Sequence, residues 1–218
     1  MKLKDNEYLT LSYSMTSSPT DYDTNCTTVY NVNVLIHDLD TDKEKVIGKV
    51  VLKHYNFALC DDIGFAYDDA ILSISDEEPL EIFIDELGGY RQEWEDMLLD
   101  SLSKNILCVD EIALCSEYRG KEIGKMIFKD IYTRFYKHIA FIVLKAAPLQ
   151  FGQSFIDNDP EWHEIMKFDE MEKDEKKAIK KLGDFYKSVG FTRYKRSAIY
   201  YVPTFYEDNK LFKMVKEI

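Results

Sequence analysis

The stretch of the sequence best suited to chemistry is residues 115–126, which read Cys-Ser-Glu-Tyr-Arg-Gly-Lys-Glu-Ile-Gly-Lys-Met. An apolar run ends here, two glycines follow in a short loop, and an apolar helical stripe begins. Unpaired backbone N–H groups converge at such a helix start, where the helix dipole is positive, and glycine lets an anion approach the main chain. The pattern favours a phosphate-binding loop. A loop-to-helix turn whose glycines serve only packing is an equally simple interpretation.

The spacing in this loop excludes the common nucleotide-binding motifs. The segment from Gly120 to Lys125 is one residue too short for a Walker loop, and Met126 stands where a Ser or Thr would hold magnesium. The loop is not a GxGxxG motif either. Elsewhere, His163 and Glu164 begin a zinc-protease motif, but a lysine occupies the position of the second histidine. We therefore expect no metal.

The first half of the chain predicts strands and then helices. Residues 8–15 alternate loosely, and residues 28–39 and 46–57 alternate more clearly on either side of an Asp-rich turn, which predicts an antiparallel hairpin. Between residues 60 and 105 the apolar spacing becomes helical. The helical pieces predicted there are residues 66–74, residues 80–87 and the stretch around Trp94 to Leu102.

The second half predicts a crossover between parallel strands. Residues 106–115 and 139–147 are dense in apolar residues and indicate strands buried on both faces, with a helix over 120–137 between them. A charged helical stretch over 161–189 and a short hairpin follow. We therefore expect one α/β domain over residues 1–218, with a mixed twisted sheet of about six to seven strands flanked by helices. Residues 60–105 form an acidic helical insertion in it.

Composition narrows the classes of function. The chain has 218 residues, 45% of them apolar, and carries a formal charge of −12, which argues against a nucleic-acid partner because phosphate contacts need a basic face. The segment from Cys60 to Asp100 holds fourteen acidic residues and one base, Arg91. Such a run is typical of a solvated face, and it also fits attraction of a cationic substrate. The absence of a signal segment, a membrane span or a CxxC pair predicts a cytoplasmic protein with free thiols.

The loop and a second segment together resemble the GNAT acyltransferase superfamily, whose pyrophosphate loop reads Arg/Gln-x-x-Gly-x-Gly/Ala. Arg119, Glu122 and Gly124 occupy those positions. The segment from Phe185 to Phe191 resembles the family's Tyr-x-x-x-Gly-Phe segment. The resemblance covers about residues 106–202. Two departures stand out: Glu122 replaces a glycine, and the helical region follows the hairpin instead of the first strand.

This resemblance implies a GNAT-like acyl-CoA acyltransferase fold and transfer of an acetyl group from acetyl-CoA to a primary amine. Tyr186 would protonate the departing thiolate, and Glu111, directly or through a water, would deprotonate the amine. Main-chain groups of Ile112, Ala113 and Leu114 would pair with the pantetheine arm. The pyrophosphate would bind the loop residues Tyr118, Arg119, Gly120, Lys121, Glu122, Ile123, Gly124 and Lys125.

Two other functions stay open at this point. One is a non-catalytic acyl-CoA-binding or protein-interaction module on the same fold, which Glu122 and the lack of an obvious base favour. The other is a phosphate-binding enzyme of an unrelated family. The sequence does not identify the acceptor amine, and residues 145–152 are a weak candidate for its wall.

Overall fold

The computed structural model describes residues 3–15, 26–72, 78–120, 122–152 and 160–216, without the side chains of residues 160 and 163. Within these ranges seven strands form one open sheet in the order β1-β2-β3-β4-β5-β7-β6. Neighbouring strands are antiparallel except β4 and β5, which are parallel. The strands are β1 (Glu7–Met15), β2 (Thr27–Asp38), β3 (Lys43–Tyr55), β4 (Ile106–Leu114), β5 (Phe141–Lys145), β6 (Thr192–Arg193) and β7 (Ile199–Pro203). The expected mixed sheet flanked by helices is confirmed.

Helices connect these strands and cover both faces of the sheet. Helices α1 (Phe57–Ile63), α2 (Tyr67–Leu72) and α3 (Gln92–Leu98) lie between β3 and β4 in the chain. The crossover helix α4 (Ile123–Phe135) joins β4 to β5. The remaining helices are α5 (Pro160–Met166), α6 (Glu175–Val189) and α7 (Lys210–Lys216). In the described part of the chain, every helix is too short or too polar to cross a membrane.

Two helical predictions were wrong. Residues 80–87 form successive turns, and Ile84 makes a single antiparallel bridge to Tyr90. Their apolar side chains are buried all the same, because Leu80 and Phe83 pack into a hydrophobic core. The helical stretch predicted over residues 161–189 is interrupted by residues 167–174, which begin at Lys167 with a left-handed φ of 46° and include a 3₁₀ turn over Phe168–Glu170.

The sheet separates two hydrophobic cores. Helices α4 and α6 supply one core, while α1, α2, α3 and the turns before α3 supply the other. Successive residues of β4 and β5 enter opposite cores, which explains why both strands read as continuous apolar runs. Leu107, Val109, Ile142 and Leu144 enter the first core, and Ile106, Cys108, Phe141 and Val143 enter the second. All four cysteines are buried free thiols.

A bulge in β4 marks the place where the sheet opens. Val51 of β3 pairs with Glu111 and Leu52 pairs with Val109, so Asp110 is an extra residue in β4. A bulge bends its strand and increases the local twist. Pairing between β4 and β5 ends at Val109 and Leu144, although β4 continues to Leu114. The two parallel strands therefore diverge after the bulge and leave a gap between their C-terminal ends.

Candidate functional site

A cavity of about 710 Å³ lies where β4 and β5 diverge. Its walls come from the end of β4, the loop before α4, the end of α5 and one face of α6. The volume lies in the range of small-molecule and cofactor sites. Eight of the predicted site residues line this cavity: Ile112, Leu114, Arg119, Gly120, Glu122, Gly124, Lys125 and Tyr186.

Four other predicted site residues are not found in the cavity lining. Three of them pack into hydrophobic clusters, and the fourth lies outside the described residues. Ala113 and Ile123 turn into hydrophobic clusters, and Tyr118 packs between two of those clusters. The alternation of Ile112, Ala113 and Leu114 follows from strand geometry, in which successive side chains point to opposite faces. Lys121 lies outside the described residues.

The N-terminus of α4 leaves backbone donors available next to the cavity. The amides of Lys125 and Met126 donate to the carbonyl oxygen of Glu122, at 2.9 and 3.2 Å. Within the described part of the chain, the amides of Gly120, Ile123 and Gly124 have no hydrogen-bond partner. Because these groups stand at the positive end of a helix dipole, they can bind an anion.

Three of the loop amides predicted to hold pyrophosphate are already occupied. The amides of Tyr118 and Arg119 donate to carbonyl oxygens inside a 3₁₀ turn over Ser116–Tyr118, and that of Lys125 donates to Glu122. These three amides are therefore hydrogen-bonded within the chain, and pyrophosphate binding by residues 118–125 stays a prediction. Among the residues described, the amides that can bind a ligand are those closest to the start of α4.

Glu122 adopts a backbone conformation that normally favours glycine. Its φ is 65° and its ψ is −3°, and its side chain makes no capping bond to α4. Its carboxylate pairs with the Lys125 ammonium. Gly120 also has a positive φ, 72°, and open space where a Cβ would lie. The loop thus has two residues in the left-handed region, which glycine adopts at lower cost than glutamate.

Gly124 is required for close packing between helices and not for an unusual backbone conformation. A Cβ at Gly124 would lie 2.8 Å from Cζ of Phe185 on α6. The two glycines therefore have different structural roles, and phosphate binding by the loop stays a prediction. Gly120 allows the turn, and Gly124 allows α4 and α6 to approach each other.

The Arg119 guanidinium joins two walls of the cavity. Its Nε donates to the carbonyl oxygen of Leu114 at 2.9 Å, and its Nη2 donates to that of Met166 at 2.6 Å. Partial burial of the guanidinium lowers the pKa of Arg119. The side chain thus ties the end of β4 to the end of α5. This makes it a structural clamp.

Tyr186 lies on the α6 wall with its side chain 8% exposed. Its ring centroid lies 6.0 Å from that of Phe128 and 5.7 Å from that of Tyr200. Burial, together with the nearby Tyr200 phenol, raises the pKa of Tyr186 well above its usual value. The hydroxyl is therefore protonated at neutral pH, and the same shift makes it a weaker acid than an ordinary phenol.

The carboxylates nearest the strand divergence are Asp110 and Glu111. Glu111 lines an adjoining cavity of about 220 Å³, whereas Asp110 lines both cavities. The Lys53 ammonium lies 3.0 Å from Asp110 Oδ2, with the two side chains 9% and 22% exposed. Lys145 borders both cavities and forms an ion pair with Glu78. Sequence reasoning chose Glu111 alone, because the bulge that brings Asp110 to this position has no sequence signal.

Two further walls were missed in the sequence. Met166, Glu170 and Met171 line the cavity from α5 and the turn after it, a region predicted only as part of a long helix. On α6, the cavity residues recur at helical spacing, so this face could have been found from periodicity. The α6 residues with this spacing are Ala178, Lys181, Leu182, Phe185 and Tyr186, and Ser188 also lines the cavity. Among the described residues, no group of three or more His, Cys, Asp and Glu side chains is arranged to hold a metal ion.

Comparisons with known proteins give similarity of structure only. No family model and no curated protein matches the sequence. Among solved structures, a KacTA–DNA complex is similar over 96% of this chain and 100% of that chain, with 9% identity and a TM-score of 0.45. A tyrosine-to-phenylalanine mutant of KacT is similar over 95% of this chain and 98% of that chain, with 10% identity and a TM-score of 0.41. AtaTR bound with AcCoA is similar over 95% of this chain and 96% of that chain, with 10% identity and a TM-score of 0.38.

Proposed function

We propose that this protein is an N-acetyltransferase that moves an acetyl group from acetyl-CoA to a primary amine. One observation carries the proposal: the diverging end of β4, the open amides at the start of α4 and the Tyr186 phenol all border a single cavity. This combination offers an edge for an extended amide-containing arm, donors for a diphosphate and an acid for a thiolate. Few other ligands than an acyl-CoA thioester need all three.

Cofactor binding would use the main chain more than side chains. The pantetheine arm contains amide groups and would pair with β4 near Ile112 as an added strand does. Its diphosphate would accept hydrogen bonds from the amides of Gly120, Ile123 and Gly124. The ammonium groups of Lys125 and Lys181 border the same cavity and would lower the cost of bringing a polyanion there.

The transfer itself requires a base for the amine, a thioester carbonyl and an acid for the departing thiolate. The amine, once deprotonated, attacks the thioester carbonyl carbon to give a tetrahedral oxyanion. When this intermediate collapses, the C–S bond breaks and the thiolate takes the Tyr186 hydroxyl proton, and the proton lost by the new amide nitrogen returns to the phenolate directly or through water. Glu111 or Asp110, directly or through one water, would accept the proton from the ammonium. The Lys53 ammonium keeps a positive charge beside the Asp110 carboxylate.

We propose that the acceptor is a cationic amine, because one segment of the chain is strongly acidic. In the described parts of residues 60–100 the carboxylates are exposed, and their field would raise the local concentration of an amine. We also propose a cytoplasmic protein without a nucleic-acid partner. The DNA in the KacTA structure belongs to that protein, and the charge of −12 on this chain is the reason to expect otherwise here.

A binding assay and a turnover assay test the proposal separately. Acetyl-CoA should raise the melting temperature and give saturable calorimetric binding, because it would bind only the native state. Tyr186→Phe should lower turnover on an amine panel by about tenfold or more with almost unchanged acetyl-CoA affinity. Tyr136→Phe is the matched control, since that ring stacks on Tyr132 away from the cavity lining. An absence of acetyl-CoA binding at millimolar concentration would refute the assignment.

The second candidate is a non-catalytic acyl-CoA-binding module. It is favoured by the Glu122 carboxylate at the diphosphate position and by the Arg119 side chain, which is bonded to two carbonyl groups. The two functions differ in thiol release. Acetyl-CoA binding with no free CoA released across cationic and neutral amines would favour the module, whereas Tyr186-dependent release would favour the enzyme.

A further inference from the structure

The edge strand β1 lacks the features that normally keep sheet edges from pairing. It is nine residues long and ends the sheet, and within the described ranges no strand pairs with its outer side. Edge strands are usually protected by lysine, proline, bulges or short length. Residues 8–15 contain no charged residue, no proline and no glycine, and all of β1 pairs with β2 without a register shift.

The hydrogen-bond phase of β1 shows which of its groups face outward. The amide of Leu39 donates to the carbonyl oxygen of Asn6 at 2.9 Å, and the two residues are opposite each other in the extended β1–β2 register. Asn6 and Leu39 therefore form a hydrogen-bonded pair. Along an antiparallel ladder, hydrogen-bonded pairs alternate with non-hydrogen-bonded pairs. Even-numbered residues direct their main-chain groups to β2. The outward groups belong to Leu9, Leu11, Tyr13 and Met15.

We propose that β1 pairs with β1 of a second copy of this chain, antiparallel and about a two-fold axis through Leu11. In this register Leu11 faces Leu11, Leu9 faces Tyr13, and Glu7 faces Met15. All are odd-numbered, so Leu11–Leu11 and Leu9–Tyr13 are full hydrogen-bonded pairs, whereas in Glu7–Met15 only the Glu7 carbonyl oxygen is open, because the Glu7 amide donates to the Lys4 carbonyl oxygen at 3.0 Å. The arrangement places no like charges opposite each other and joins the two sheets into one. It is independent of the acetyltransferase proposal.

The dimer formed in this way is expected to be weak. Two paired strands of this length supply roughly eight to ten hydrogen bonds and the contacts of a few side chains. Such an interface is smaller than the roughly 1,200 Å² typical of stable complexes. We therefore expect a dissociation constant in the range of about 10 to 100 µM, measurable as a concentration-dependent change in mass.

Charge substitutions at one exposed position test the register. Met15 is 58% exposed, so changes there leave folding intact, and in the proposed dimer it faces Glu7 of the other copy. Glu7 already pairs with the Lys4 ammonium at 3.2 Å, so the effect of a new charge is at the low end for a cross-strand pair. Met15→Lys should lower the dissociation constant and Met15→Glu should raise it, each by about twofold over two symmetric pairs. Sedimentation velocity from about 1 to 300 µM measures both, with circular dichroism as the check on folding.

A cysteine pair tests the axis directly. Hydrogen-bonded residues at a two-fold axis have Cα atoms about 5.5 Å apart, which suits a disulfide, whereas positions one residue away do not. Under mild oxidation Leu11→Cys should give a covalent dimer and Ser12→Cys should not. The four native cysteines are buried and do not compete. A monomer throughout the concentration range, or a dimer insensitive to the Met15 changes and not cross-linked through residue 11, would overturn the proposal.

Discussion

Replacing Glu122 by glycine separates two effects that this residue has on the loop. Glu122 holds a left-handed backbone conformation at φ 65° and places a carboxylate beside the amides that would bind a diphosphate. Glycine removes both the strain and the charge, whereas alanine removes only the charge. The pair Glu122→Gly and Glu122→Ala is therefore a matched comparison.

The expected magnitudes come from the backbone and from Coulomb's law. A left-handed conformation costs an L-residue about 1–2 kcal/mol, and glycine loses about 0.5–1 kcal/mol more chain entropy on folding than alanine. Glu122→Gly should thus be about 0.5–1 kcal/mol more stable than Glu122→Ala. Loss of a unit charge at about 6 Å from another in water is worth about 0.7 kcal/mol. Both variants should therefore bind acetyl-CoA about threefold more tightly.

Chemical denaturation and calorimetry measure the two quantities independently. Tighter acetyl-CoA binding by both variants should weaken as salt is added, since exposed charges are screened. If Glu122→Gly is less stable than Glu122→Ala, the explanation of the loop conformation is incorrect. If neither variant alters affinity at low salt, Glu122 does not lie next to the bound diphosphate.

Three further predictions concern packing, pH and the clamp. A Cβ at Gly183 would lie 2.1 Å from the Tyr200 hydroxyl, so Gly183→Ala should destabilise the fold by about 1–3 kcal/mol in denaturation, and by less in a Tyr200→Phe background. Burial lowers the pKa of His54 to about 4, so the unfolded chain binds the proton first and stability should fall by about 1–2 kcal/mol from pH 6.5 to 5, a slope that His54→Gln should flatten. Arg119→Gln leaves two carbonyl groups without their donor and should lower the free energy of unfolding by about 1–3 kcal/mol, whereas a change within 0.3 kcal/mol would contradict its role as a clamp.

Elements with a simple burial pattern were predictable from the sequence. Strands β4 and β5 are buried on both faces, and α4 buries one stripe through Ile123, Ile127 and Ile131. Each pattern reflects a uniform environment along the element, which is what periodicity measures. The phosphate-loop candidate followed, because its position between β4 and α4 depends only on those two elements.

Features that depend on tertiary contacts were not predictable. Residues 80–87 have apolar spacing compatible with a helix, but their side chains fill a core as successive turns. The bulge at Asp110 arises from the pairing of β4 with β3, and no local residue type signals it. The clamp formed by Arg119 joins positions 47 residues apart in the chain. Long-range contacts of this kind determine which side chains reach a site.

The clamp also has a consequence for motion. Met166, Glu170 and Met171 form one wall of the cavity, and Arg119, in the loop before α4, donates a hydrogen bond to the Met166 carbonyl oxygen. A ligand that contacts both this wall and the loop before α4 would lose contacts if the wall moved away. Ligand binding would therefore make local opening of the wall less frequent. If acetyl-CoA binds in this cavity, its addition should therefore slow hydrogen exchange in α5.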